Sequence, residues 1–201
     1  ADDVPVSPWK PRVDLVRKAR SVLEASKKIA ADEPHWHTVY LRLLRVEGKS
    51  DEDLLLAHAD ALAAFPLYDQ THFELLDYLI DRWEPRFELV DAFINTVLAG
   101  TQELTGMTAY ARLYERALPK LQRGQFYALE SRNWAKMQAG LNEIDKNYPS
   151  HWNYHQHALH ACIAGDKLVA RTMMASAAEE QAQYVWRDAI AFKQCKSWVE
   201  H

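Results

Sequence analysis

Apolar residues recur along this chain at steps of three and four, with polar residues between them, so most of it reads as helices that each bury one face. The pattern is clearest from Tyr148 to Arg171, YPSHWNYHQHALHACIAGDKLVAR. Pro149 ends one helix, and Ser150 can cap the next by accepting a bond from a free backbone N–H. Trp152, His155, Leu159 and Cys162 follow along one face. Gly165 breaks that helix, and Asp166 starts another that carries Leu168, Arg171 and two methionines. The stretch therefore predicts a helix, a tight turn and a second helix, in all about 33 residues, close to the length of a two-helix repeat.

Weaker versions occur elsewhere. Residues 1–11 hold three prolines and read as an extended lead-in. Val16, Ala19, Leu23, Ser26 and Ala30 predict a helix from Arg12 to Ala30, stopped by Asp32-Glu33-Pro34. A second helix carries Trp36, Val39, Tyr40, Leu43 and Leu44 as far as Gly48. Ser50 opens a third, with Asp51, Glu52 and Asp53 in its first turn, where negative charge complements the helix dipole. That acidic trio reads as a solvated helix start rather than a metal site. Residues 34–66 thus repeat the layout of 149–181: proline, tryptophan helix, glycine turn, alanine-rich helix. Further helices are expected over Phe73–Trp83, Phe87–Leu98, Met107–Ala117, Gln122–Arg132, Trp134–Tyr148 and Tyr184–Val199, with Gly100–Gly106 as a turn region.

The expectation is an all-α fold of about ten or eleven helices, paired as antiparallel hairpins and stacked as a tetratricopeptide-like solenoid. Residues 12–201 would form a single domain, with the last helix as a cap. Composition agrees. Six glycines and eight prolines among 201 residues fall mostly between periodic segments, too few turn glycines for a sandwich or doubly wound sheet. A formal net charge of −4 argues against nucleic acid, whose binding rests on clustered Lys and Arg. No apolar run approaches the roughly 20 residues that span a bilayer. The opening ADDVPVSPW is what removal of an export signal leaves, although a trimmed start would look the same. Cys162 and Cys195 read most simply as two buried free thiols, with a disulfide between them open in an oxidising compartment.

From Tyr78 onward the chain resembles a bacterial tetratricopeptide-like family of unknown function. YLIDRW (Tyr78–Trp83), AYARLYER (Ala109–Arg116), and WAKMQAG, YPSHWN and ACIAGDKLVAR between Trp134 and Arg171 carry the resemblance, over about half of the sequence. It implies a bacterial protein with a helical-repeat fold, and no activity, cofactor or catalytic residue. The chain departs from the family twice. Glu84-Pro85-Arg86 stands where glycines usually follow the tryptophan, and histidines follow Trp152 where polar amides are more usual.

His151, His155, His157 and His160 crowd into ten residues. Helical spacing puts the first pair on one face and the second pair on another, so the four cannot converge on one ion. A zinc site would need one pair, such as His151 and His155, plus a ligand from elsewhere, and no H-E-x-x-H arrangement supplies a base. The simpler reading makes His155 a hydrogen-bonded core residue, with His157 and His160 solvated. Seven tryptophans and nine tyrosines mostly fall on the apolar stripes. Trp36 with Tyr40, and Tyr110 with Tyr114, lie one turn apart and are candidate anchors for a protein partner. Arg82, Arg86, Arg112 and Arg116 recur at helical spacing, as a solvated face or as a dock for an acidic peptide.

No nucleophile elbow, phosphate loop or paired Cys–His appears. The leading expectation is a non-catalytic interaction module without a cofactor, binding a protein or peptide on a concave face, in the periplasm or outside the cell rather than in the cytoplasm. The alternatives are an immunity-type or chaperone-type protein for one bacterial effector, and a metal-dependent hydrolase built on the His151–His160 helix.

Overall fold

The computed structural model describes residues 10–81, 87–118, 120, 133–186 and 189–201. Among these residues the chain is all-helical, with twelve α-helices and no strand. It folds as two compact units, Ala1–Pro85 and Arg86–His201. The expected helix over Gln122–Arg132 and the turn at Glu84–Arg86 lie outside the described residues, as does most of the lead-in.

The first unit holds α1 (Lys10–Ala25), α2 (Lys27–Ala30), α3 (Pro34–Val46), α4 (Asp51–Ala64) and α5 (Asp69–Ile80). A single first helix was expected. The Ser26 hydroxyl instead donates to the Leu23 carbonyl at 2.7 Å, a local bond that competes with the helical ladder and marks the break between α1 and α2. Pro34 occupies the first turn of α3, where a missing N–H costs nothing. Ser50 caps α4 reciprocally: its side chain accepts from the Asp53 N–H, and the Asp53 carboxylate accepts from the Ser50 N–H. Helix α3 packs on α1, α4 and α5. Leu41, Leu44, Leu54, Leu75, Leu76 and Leu79 fill the space between, joined by a buried Thr38–Thr71 hydroxyl pair at 2.8 Å.

The second unit continues with α6 (Phe87–Thr105), α7 (Thr108–Ala117), α8 (Trp134–Asn147), α9 (His151–Ala164), α10 (Lys167–Ser176), a 3₁₀ turn at Glu179–Gln181, α11 (Ala182–Val185) and α12 (Ala189–Glu200). Each of α6 to α9 packs on the next helix in chain order, and α12 packs on α10. Helix α6 runs straight through Gly100, where a turn was expected. Burying Val97, Leu98 and Thr101 outweighs the roughly 1 kcal/mol that glycine costs inside a helix. The helix ends at Gly106, whose φ of +58° suits a residue without Cβ. The expected helix over Tyr184–Val199 is also broken. Trp186 follows α11 with extended backbone, and its ring is buried in the core of Ala158, Ala161, Ala170, Val185 and Val199.

The α9–α10 hairpin forms as the local signals predict. Ser150 accepts from Asn153 N–H, Gly165 turns at φ +77°, and Asp166 accepts from Val169 N–H. Its orientation differs from the expectation. Trp152 is exposed, because the buried side of α9 is centred on His155, Ala158 and Ala161. Cys162 and Cys195 are joined in a disulfide rather than free, tying α9 to α12 with a Cα–Cα separation of 6.0 Å.

Candidate functional site

The histidines of α9 are taken up by packing and hydrogen bonding. His155 is buried and donates from Nε2 to the Ala178 carbonyl at 2.9 Å, while Nδ1 accepts from the Trp186 indole at 3.3 Å. His151 is exposed and accepts from the Ala178 N–H at 3.0 Å. The two therefore hold opposite sides of one residue's backbone and fasten the segment after α10. Both nitrogens of His155 are occupied, which removes it as a ligand for an ion in this arrangement. Among the described residues no group of three or more His, Cys, Asp or Glu side chains is placed to hold a metal.

His157 and His160 are buried, not solvated. The α9 helix is flanked by α8 on one side and by α10, α11 and α12 on others, so its buried arc is wider than one stripe. His157 Nδ1 lies 2.6 Å from Asp145 Oδ2, and its ring meets Trp134 edge-on. Trp134 in turn donates from its indole to Asp166 at 3.1 Å. A carboxylate on one imidazole nitrogen fixes the tautomer and the ring plane. His157 is thus absorbed into the packing of α8 against α9.

The aromatic candidates separate by depth. Tyr110 and Tyr114 are each 2% exposed, their rings 4.7 Å apart. Burial, with Asp91 accepting from the phenol at 2.6 Å, pushes Tyr114 well above the usual tyrosine range. Neither ring presents a surface for a partner. Trp36 is 6% exposed and donates to the Leu23 carbonyl at 3.2 Å. Tyr40 stacks on it at 5.1 Å and remains half-buried, its hydroxyl 3.4 Å from Glu24. Desolvation and the Glu24 carboxylate raise the Tyr40 phenol. Of these four rings, Tyr40 keeps the most surface.

Arg82 and Arg86 lie outside the described residues. Arg112 places its guanidinium 5.5 Å from the Tyr148 ring, and Arg116 is exposed. The exposed aromatics are others, among them Tyr148, Trp152, Tyr184 and Trp198. Their exposure is not written in the local pattern, because it depends on which helices flank each stripe.

The first unit contains a buried pair of hydrogen-bonded histidines. His72 Nε2 donates to the Pro66 carbonyl at 2.9 Å, leaving Nδ1 to accept from His58 Nε2 at 2.9 Å. Burial, and then the neighbouring His72, lower His58 to about 3. Burial also lowers His72, opposed by the Pro66 bond and by Asp69. Two neutral imidazoles in series serve as an internal strut. The acidic trio is structural in two of its members: Asp53 belongs to the cap, and Asp51 accepts from Tyr78 at 3.0 Å.

The arrangement defines an all-α protein whose internal polar groups mostly serve its own packing. No helix among the described residues is long and apolar enough to cross a membrane. No family model, curated protein or solved structure matches the chain.

Proposed function

We propose that the protein is a non-catalytic interaction module, built from tetratricopeptide-like hairpins, that binds a protein or peptide through exposed helix faces. The observation that carries this reading is the α9–α10 hairpin, closed by Gly165 and packed between α8 and α12, with a second capped hairpin, α3–α4, of like design. Stacked hairpins leave side chains of successive helices exposed in rows, which suits extended partners more than small substrates. The histidines that could have served chemistry hold backbone groups, a carboxylate or one another. The Cys162–Cys195 disulfide supports residence in an oxidising compartment such as a periplasm or the exterior.

The test is native affinity capture with the full chain, followed by titration of each recovered protein against purified chain in a calorimeter. A saturable partner in the micromolar range or tighter is expected. Substrate turnover by the purified chain, with no saturable partner, overturns the reading.

A further inference from the structure

Helix α12 has two unlike sides. Its inner side is fixed by the disulfide at Cys195, by burial of Val199, and by a 2.7 Å bond from Arg171 Nε to the Val199 carbonyl. Its outer side carries Ile190, Lys193, Gln194, Ser197 and Trp198 at steps of three and four. With Lys167 of α10, this side walls a groove of about 580 Å³ that no other described element covers. Ile190 is 65% exposed and Trp198 38%. Ile190 and Trp198 thus give the groove its apolar surface, on a helix whose inner side is fixed.

The charge of the groove is one-sided. Lys167 holds its ammonium 5.8 Å from the centre of the Trp198 ring. Neither Lys167 nor Lys193 is in an ion pair among the described residues, whereas Lys196, on another side of α12, pairs with Glu179 at 2.7 Å. Among the described residues that line it, Lys167, Ile190, Lys193, Gln194, Ser197, Trp198 and His201, no side chain is acidic, in a chain whose formal charge is −4. An aromatic face backed by unpaired ammonium groups matches one kind of ligand, a chain of carboxylates around a bulky apolar side chain.

We propose that the α10–α12 groove docks an acidic peptide segment of a partner protein, with an aromatic or leucine anchor against Ile190 and Trp198 and flanking carboxylates on Lys167 and Lys193. This rests on the interaction-module reading and names the surface and the chemistry. The groove is preorganised, because the disulfide holds α12 before any ligand arrives.

The test uses a short fluorescein-labelled peptide with glutamates on both sides of a Phe–Leu pair, titrated into the intact oxidised chain by fluorescence anisotropy. Saturable binding is expected, weakening as salt screens the lysines. The same peptide with lysines for glutamates should not bind. Lys193→Glu, on an exposed position that leaves the core untouched, should weaken binding about tenfold, equivalent to about 1.4 kcal/mol. Lys167→Glu with Lys193→Glu should abolish it, and Trp198→Ala should weaken it with an unchanged salt dependence. Equal affinity for the acidic and basic peptides, or for wild type and the double variant, overturns the proposal. So does adsorption to anionic phosphatidylserine vesicles without peptide binding. A captured protein partner that the double variant retains would overturn the groove assignment while leaving the interaction reading intact.

Discussion

The α3–α4 hairpin and the α9–α10 hairpin share a design and differ in what fastens them. Both open after a proline or on one, place a tryptophan near the start of the first helix, and turn at a glycine. In the first unit the fastening is hydrogen bonding: His37 donates to the Ala31 carbonyl at 3.0 Å, and His58, His72 and the Pro66 carbonyl form a chain. In the second unit His151, His155 and Trp186 hold the segment after α10, and a covalent link joins α9 to α12. The hydrophobic pattern decides that a hairpin forms. What locks it depends on side chains brought from elsewhere, and that makes one unit sensitive to acid and the other to reductant.

The largest effect should come from removing the covalent lock. Cys162 and Cys195 are 33 residues apart, and in the chain-entropy account a loop of that size contributes about 3–4 kcal/mol. A Cys162→Ser/Cys195→Ser variant should unfold in urea with the second unit at a markedly lower midpoint, while hydrogen exchange in α3–α5 stays as in wild type. An unchanged midpoint would show that the hairpin does not lean on the link.

Next comes close packing between α7 and α8 of the second unit. A Cβ on Gly140 would meet the Met107 carbonyl oxygen and, at 2.8 Å, the Ala111 Cβ, so the two helices approach each other through that glycine. Gly140→Ala should cost about 2–3 kcal/mol, as overpacking does, although alanine is the better helix former. A neutral or stabilised variant in thermal unfolding would mean that the helices separate without cost.

Acid should act on the first unit through the histidine strut. His58 is held at about 3, below its unfolded value near 6.5, so the unfolded chain takes a proton that the folded one refuses. The stability it contributes is complete above about pH 6.5 and falls as pH drops through the window down to about 3. For one such site, the loss between about pH 7 and about pH 5 is on the order of 2 kcal/mol. His72, also lowered by burial, shifts in the same direction. Amide exchange in α4 and α5 reads this out, and His58→Gln should flatten the pH dependence.

Local signals were legible and long-range ones were not. Ser150, Gly165 and Asp166 mark their helix ends by chemistry confined to a few residues, and each sits as the chain suggests. Gly100 misled because its helix is held by buried neighbours, and Trp186 because its indole is drawn to His155 from 31 residues away. Tyr110 and Tyr114 were at the expected spacing, but spacing alone cannot separate a core pair from a surface pair. The α10–α12 groove escaped for the same reason. Ile190, Lys193 and Ser197 have a readable period, yet Lys167, which completes the wall, belongs to another helix.

The smallest effect gives the finest comparison, because both hairpins use a serine cap. Ser150 accepts from the Asn153 N–H at 3.2 Å. Ser50 accepts from the Asp53 N–H at 3.1 Å and, in addition, its own N–H and hydroxyl donate to the Asp53 carboxylate, at 3.2 and 2.8 Å. These bonds to the carboxylate lower Asp53 below its ordinary value. Ser150→Ala should cost about 0.5–1 kcal/mol, as loss of a serine cap does, and Ser50→Ala somewhat more, since only the second also strips a carboxylate of a hydroxyl donor. Urea unfolding of the two variants measures the difference directly. Equal losses would mean that the bond from the Ser50 hydroxyl to the Asp53 carboxylate is replaced by water at no cost, leaving the two caps equivalent despite their different wiring.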